Sequence, residues 1–284
     1  MQVLPLALSA VAALVVAPGL RKGLLDGGHT VQNYRGQPLA CPLGMAIVVA
    51  VALTAGAVGL LAQAGAIDQA TVTGLTFVIG VAALGLFDDA YSGPSRGWRG
   101  HGSAVRGGAL PTGAVKAIGT LALAGWEAGR LVGADEVAVD ARWVLVVLVL
   151  ALATNLFNII DLRPGRAVKV FVLVTIGAAI AVGTDLLDAF GAYIGAILVV
   201  GVYDLRERGM LGDTGANLVG AVAGLMLVTA ITSTAGLAVC AAVLLAVTAY
   251  GEYRSLSAFV ERTPGFRHLD SMGRLHNPRK DAAA

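Results

Sequence analysis

Apolar residues run almost unbroken through nine stretches of the chain, at 3–20, 43–64, 70–87, 112–132, 143–158, 168–182, 186–202, 214–231 and 235–250. A helix that crosses the hydrocarbon layer takes about 20 such residues, with a range of about 17–25. The pattern therefore predicts an all-α fold, a polytopic transmembrane helix bundle of about nine spans. Residues 1–250 form its single transmembrane domain, and 251–284 a basic, weakly amphipathic tail. The first run has the length of a signal peptide but lacks a basic leading region and a small-x-small cleavage site, so it is read as a retained helix.

Composition sharpens this reading. Hydrophobic residues make up 57% of the chain and charged residues 13%, against about 25% charged in a soluble domain. Ala, Val, Gly and Leu dominate, and small side chains let helices approach closely in lipid. Cys41 and Cys240 lie far apart, in no metal-like spacing, and read as small buried residues. The net charge of +2 matters less than its distribution. Alternate connections, with Lys116 just inside the fourth run, hold 18 of the 20 Lys and Arg residues; the opposite set holds Arg130 and Arg142. By the positive-inside rule the basic side is cytoplasmic, which puts the N-terminus outside and the C-terminus in the cytoplasm. No basic feature calls for a nucleic-acid partner.

Three polar clusters then need a reason. The third run closes on "GLFDDAYSG", with Asp88 and Asp89. The fifth ends in "ATNLFNIIDLRPGRAVK", where Asn155, Asn158 and Asp161 share one broad helical face at a spacing of three. The eighth opens on "GMLGDTGANLVGA", with Asp213. A solvated helix end explains an Asp pair, and an N-cap explains Asp213, when each is taken alone. Amides and carboxylates beside hydrocarbon are costly unless something polar meets them. All three clusters fall on the basic side. Carboxylates converging there are hard oxygen ligands for Mg²⁺, and Arg163 and Arg166 in the adjoining loop are suited to gripping phosphate. The Gly/Arg-rich stretch after Asp89 adds backbone amides for the same purpose. His29 and His101 read as loop residues.

In order and topology these motifs resemble those of the polyprenyl-phosphate N-acetylhexosamine-1-phosphate transferase superfamily, over about residues 44–250. "GLFDDAYSG" resembles its Asp-Asp motif, Lys116 a lysine beside that pair, "NLFNIID" its Asn-x-x-Asn-x-x-Asp motif, and "LGDTGANLVG" its Gly-Asp-x-Gly motif. Two features depart from the pattern. Pro164 stands where the family continues with a second Asp. His268 and His276 lie apart where the family has a histidine cluster.

The resemblance implies an enzyme that transfers a sugar-1-phosphate, of the N-acetylhexosamine type, from a UDP-sugar to a polyprenyl phosphate such as undecaprenyl phosphate. UMP is released at the cytoplasmic face of the plasma membrane, in the synthesis of cell-wall or other envelope glycans. It implies Mg²⁺, or Mn²⁺ in its place, on Asp213 with Asp88 and Asp89. Asp88, Asp89 and Lys116 are the implied catalytic residues. Asn155, Asn158, Asp161, Arg163 and Arg166 are expected to bind nucleotide and diphosphate. A homodimer is compatible with the family. Two other readings stand beside it. One is a non-catalytic lipid-binding scaffold of an envelope assembly. The other is a transporter, which the crowding of acidic groups at helix ends rather than mid-span disfavours.

Overall fold

The computed structural model describes residues 3–67, 72–91, 112–133 and 140–275. The Gly/Arg-rich stretch with Arg96, Arg99, His101 and Arg106 lies outside these residues, as does His276. A helix falls on each of the nine apolar runs: α1 (Leu4–Asp26), α2 (Met45–Gln63), α3 (Leu75–Tyr91), α4 (Thr112–Val132), α5 (Ala141–Ile160), α6 (Arg166–Val182), α7 (Asp185–Leu205), α8 (Gly212–Ala230) and α9 (Thr234–Tyr253). Two short helices follow, α10 (Leu256–Arg262) and α11 (Pro264–Ser271). Among the described residues six helices, α1, α2, α5, α7, α8 and α9, are long and apolar enough to cross a membrane. α3 and α6 have 17 residues each, about 26 Å of helix against a hydrocarbon layer of about 30 Å. α4 carries three charges, Lys116, Glu127 and Arg130.

The surface is that of a membrane protein. Val15, Leu60, Ile180 and Val239 are between 65% and 83% exposed, on four different helices. Bare aliphatic faces around a bundle suit lipid rather than water. The chain is thus a multi-pass membrane protein built as a helix bundle.

Its centre is α8, against which α3, α5 and α6 pack. About 78% of α8 is buried, against 17% for α9 on the periphery. The sequence of α8 explains its place: Gly215, Ala216, Gly220, Ala221, Ala223 and Gly224 leave room for neighbours on every side. Without a hydrophobic drive between helices in lipid, close van der Waals contact has to hold them. Two glycines set the critical approaches. A Cβ on Gly220 would come within 2.8 Å of Thr154 Cα on α5, and one on Gly85 within 2.5 Å of the Asp213 carbonyl oxygen.

The apolar pattern did not foretell a small hairpin after α1. Strands β1 (Thr30–Gln32) and β2 (Pro38–Ala40) pair antiparallel, Thr30 opposite Ala40. Asn33 makes the turn: its Oδ1 accepts the N–H groups of Arg35 and Gln37 at 2.9 and 3.0 Å. Its Nδ2 donates to Glu207 Oε2 at 2.9 Å, which ties the hairpin to the α7–α8 connection. Three-residue strands give too little alternation to be read from sequence. Beyond α9 the tail folds back over the α5–α6 connection, through contacts described below.

Candidate functional site

The close crossing of α3 and α8 at Gly85 brings the end of α3 to the start of α8. Asp88 is buried there. From the first turns of α4, Lys116 reaches between the two helices: its Nζ donates to Asp88 Oδ2 at 2.7 Å and to Asp213 Oδ2 at 2.5 Å. One ammonium thus bridges two carboxylates that are 125 residues apart in sequence. Charge-assisted bonds this short are the strong kind.

Asn158 completes the group from α5. In the amide orientation that satisfies both neighbours, it donates to Asp213 Oδ1 at 2.9 Å and accepts from Lys116 Nζ at 3.2 Å. The approach of α5 to α8 at Gly220 is what carries Asn158 to this place. Four helices therefore contribute one side chain each: Asp88, Lys116, Asn158 and Asp213.

Asp89 has a different employment. Its Oδ1 accepts the backbone N–H of Asp213 at 2.9 Å, and its Oδ2 accepts the N–H and hydroxyl of Thr214 at 2.8 and 2.6 Å. No residue at the start of α8 caps that helix with its own side chain. Asp89 does so from α3, satisfying donors that a helix N-terminus leaves orphaned. Asp89, expected as a metal or catalytic group, thus lies at the cluster's edge with both oxygens hydrogen-bonded to the first turn of α8.

Beside the cluster lies a cavity of about 340 Å³, open on one side. Its polar lining includes Asp88, Lys116, Asn155, Asn158, Asn217 and Glu252, and its walls are apolar, Leu121, Leu152 and Ile159 among them. Asn155 and Asn158 therefore face the same space, as their spacing predicted. Asn217 and Glu252 were not read from the sequence. Asn217 was legible there, because it follows Asp213 by four residues and shares its helical face. Glu252 was not, because nothing in the sequence of α9 says that its end abuts α5.

Asp161 is set apart. It lines a second, narrower recess with Tyr34, Arg163 and Asp204. Burial, with the charges of Asp204 and Asp213 added, pushes its carboxyl well above the usual range. The two arginines are occupied elsewhere. Arg166, 6% exposed, donates to both oxygens of Asp270 at 2.8 and 3.0 Å and to Ser257 Oγ at 3.0 Å. Arg163 pairs with Glu261 at 2.7 Å and lies 4.4 Å over the Tyr34 ring. Arg274 also grips Asp270, at 2.7 and 2.9 Å, and donates to the Pro164 carbonyl at 2.9 Å. Arg163 and Arg166 thus pair with the tail, and Arg163 also lines the recess that holds Asp161. Although burial opposes it, Arg166 and Arg274 hold the Asp270 carboxyl below its usual range.

Among the described residues no three His, Cys, Asp or Glu side chains are arranged to hold a metal ion. Burial, with Asp89 nearby, pushes the Cys41 thiol up to about 12. Two carboxylates, Asp88 and Asp213, do converge on one cation, the Lys116 ammonium. That is the number Mg²⁺ takes from a protein when phosphate and water fill its remaining positions. Two carboxylates and an amide oxygen are hard donors of the kind Mg²⁺ takes, and here the Lys116 ammonium lies between the two carboxylates. Chemically the cluster joins compensated charge and neutral hydrogen-bonding groups beside a cavity with apolar walls. Neither a protein-family model nor a curated protein matches this chain.

Proposed function

We propose that this protein transfers a sugar-1-phosphate, of the N-acetylhexosamine type, from a UDP-sugar to a polyprenyl phosphate at the cytoplasmic face of the membrane, releasing UMP. The observation that carries the reading is the meeting of Asp88, Lys116, Asn158 and Asp213, from four helices, beside a cavity with apolar walls and a polar end. The chemistry of such a site matches a substrate that is part phosphate and part lipid. The distribution of Lys and Arg supports nine spans with this end in the cytoplasm.

In the reaction an oxygen of the lipid phosphate attacks the β-phosphorus of the donor. The bond to the α–β bridging oxygen breaks, and the electron pair leaves with UMP. A phosphate monoester, with a second pKa near about 6, is largely dianionic at neutral pH and needs no strong base. Lys116 draws the two anionic reactants together and offsets their repulsion. Asn158 holds Asp213 and Lys116 in register, and Asn155 offers a hydrogen bond to the donor from the same helix face. Asp89 keeps Asp213 in place by fixing the first turn of α8. Asp88 and Asp213 would hold Mg²⁺, which would neutralise diphosphate charge.

A second reading, a non-catalytic relative serving as an envelope scaffold, draws on one observation. Arg163 and Arg166, which the resemblance would use for diphosphate, are committed to Glu261 and Asp270. One experiment separates the two. The protein in lipid nanodiscs is incubated with Mg²⁺, undecaprenyl phosphate and a panel of UDP-sugars, and lipid products are detected by mass. A polyprenyl-diphospho-sugar is expected with at least one donor. Absence of any product from folded protein across the panel favours the scaffold.

A further inference from the structure

We propose that Asn217 is a ligand-contacting residue, which donates a hydrogen bond from its Nδ2 to a phosphoryl oxygen seated in the cavity beside Lys116. The inference rests on the cavity being a phosphate-ester site, and deepens that reading. Asn217 is 1% exposed, and its Nδ2 meets no acceptor in the protein. A buried donor without a partner costs about 1–3 kcal/mol, so in native structures such groups call for an explanation. Here the residue lines the cavity that also holds Lys116, Asn155 and Asn158. It stands one helical turn deeper along α8 than Asp213.

The ligand's chemistry follows from the donor. An amide N–H needs an acceptor, and phosphate oxygens are acceptors in every orientation. The ammonium of Lys116 draws an anion to the same space. The neighbouring walls are apolar, and a neutral amide costs less there than a second charge would. Glu252, the charged residue of the lining that the cluster leaves unassigned, is an acceptor and does not compete for the phosphate. Two molecules of the proposed reaction carry the required oxygen, the lipid monophosphate and the nucleotide.

The test measures binding without turnover, with full-length protein. Native mass spectrometry reads polyprenyl phosphate and equilibrium dialysis reads UMP, for the wild type, Asn217→Leu and Asn217→Asp. The leucine is close in size and has no donor; the aspartate keeps the shape and opposes an anion. For one of the two ligands, affinity is expected to fall about tenfold in Asn217→Leu and further in Asn217→Asp, while the other changes little. The ligand affected identifies the source of the phosphate. If both variants bind both ligands as the wild type does, the inference is overturned, and Asn217 is a packing residue. Should Asn217→Leu fail to fold, Asn217→Asp alone decides. Wild-type protein that shows these binding differences but makes no lipid product would sink the transferase reading and leave this contact standing. Wild-type protein that binds neither ligand overturns the contact.

Discussion

The carboxylate of Asp89 accepts the backbone N–H of Asp213 at 2.9 Å, while its neighbour Asp88 meets the same residue's side chain through Lys116. Two consecutive aspartates thus serve one partner in different ways, one holding its main chain and the other compensating its charge. Asp89→Ala removes the cap of α8 and is expected to cost about 1–2 kcal/mol of stability, lowering the thermal midpoint. Asp89→Asn keeps the shape and one acceptor oxygen but turns an NH2 group toward a donor, so only part of that stability should remain. The apparent affinity for Mg²⁺ in a product-formation assay gives the discriminating measurement. It should change little in Asp89→Asn and greatly in Asp88→Asn. Equal losses in the two variants would give Asp89 the same part in metal binding as Asp88.

The site depends on how closely two helices approach. Gly85→Ala would set a methyl group 2.5 Å from the Asp213 carbonyl oxygen, closer than packed atoms tolerate. Forcing α3 and α8 apart is expected to cost about 1–3 kcal/mol and to separate Asp88 from Asp213. Activity should fall further than the thermal midpoint suggests. Gly56→Ala is the control. Nothing lies within 4 Å of the added carbon there, and Gly to Ala within a helix gains up to about 1 kcal/mol. Equal behaviour of the two variants in activity and melting would contradict the crossing as described.

The tail is held by Asp270 between Arg166 and Arg274. Removing the carboxylate in Asp270→Ala takes from Arg166 and Arg274 the acceptor they share, a loss of up to about 3–5 kcal/mol when such a pair is buried. Hydrogen exchange across residues 254–275 should accelerate, while the α3–α8 region keeps its protection. The pH dependence follows from the lowered carboxyl. A group whose pKa is depressed in the folded state stabilises that state above its unfolded pKa, about 3.9 for Asp. The stabilisation is lost as pH falls through the depressed value. The Asp270 contribution to protection of the tail, corrected for intrinsic exchange, should therefore be intact at about pH 5 and be lost in stronger acid. An acid loss of protection below about pH 4 that is equally large in Asp270→Ala would contradict the ion pair.

The helices were legible because lipid imposes a simple rule, a long apolar run for each helix, and α2, α5 and α8 fall on theirs within a few residues. Asn155 and Asn158 were legible for a related reason, since a spacing of three keeps them on one face of α5. What was hidden depends on distant partners. Nothing local distinguishes Asp88 from Asp89; the first turn of α8, more than a hundred residues later, separates their roles. Arg163 and Arg166 read as phosphate ligands because their loop is rich in Gly and Arg. Glu261 and Asp270, which occupy them, lie about a hundred residues further on. The hairpin at Asn33 escaped because its strands are too short to show a pattern, although Asn33 and Gly36 form an ordinary turn signal.

UMP release in membranes containing equal amounts of wild-type protein and the Asp213→Asn variant tests the function most directly. The variant keeps the size of Asp213 and its backbone bond to Asp89, but loses the charge that it shares with Asp88 and Lys116. With polyprenyl phosphate, Mg²⁺ and the preferred UDP-sugar present, the wild type should release UMP in step with lipid product. Release from Asp213→Asn should fall at least about a hundredfold, the loss of about 2.7 kcal/mol of transition-state stabilisation, in protein that remains folded in the membrane. UMP release by Asp213→Asn at the wild-type rate would mean that the acidic cluster is not where the chemistry happens.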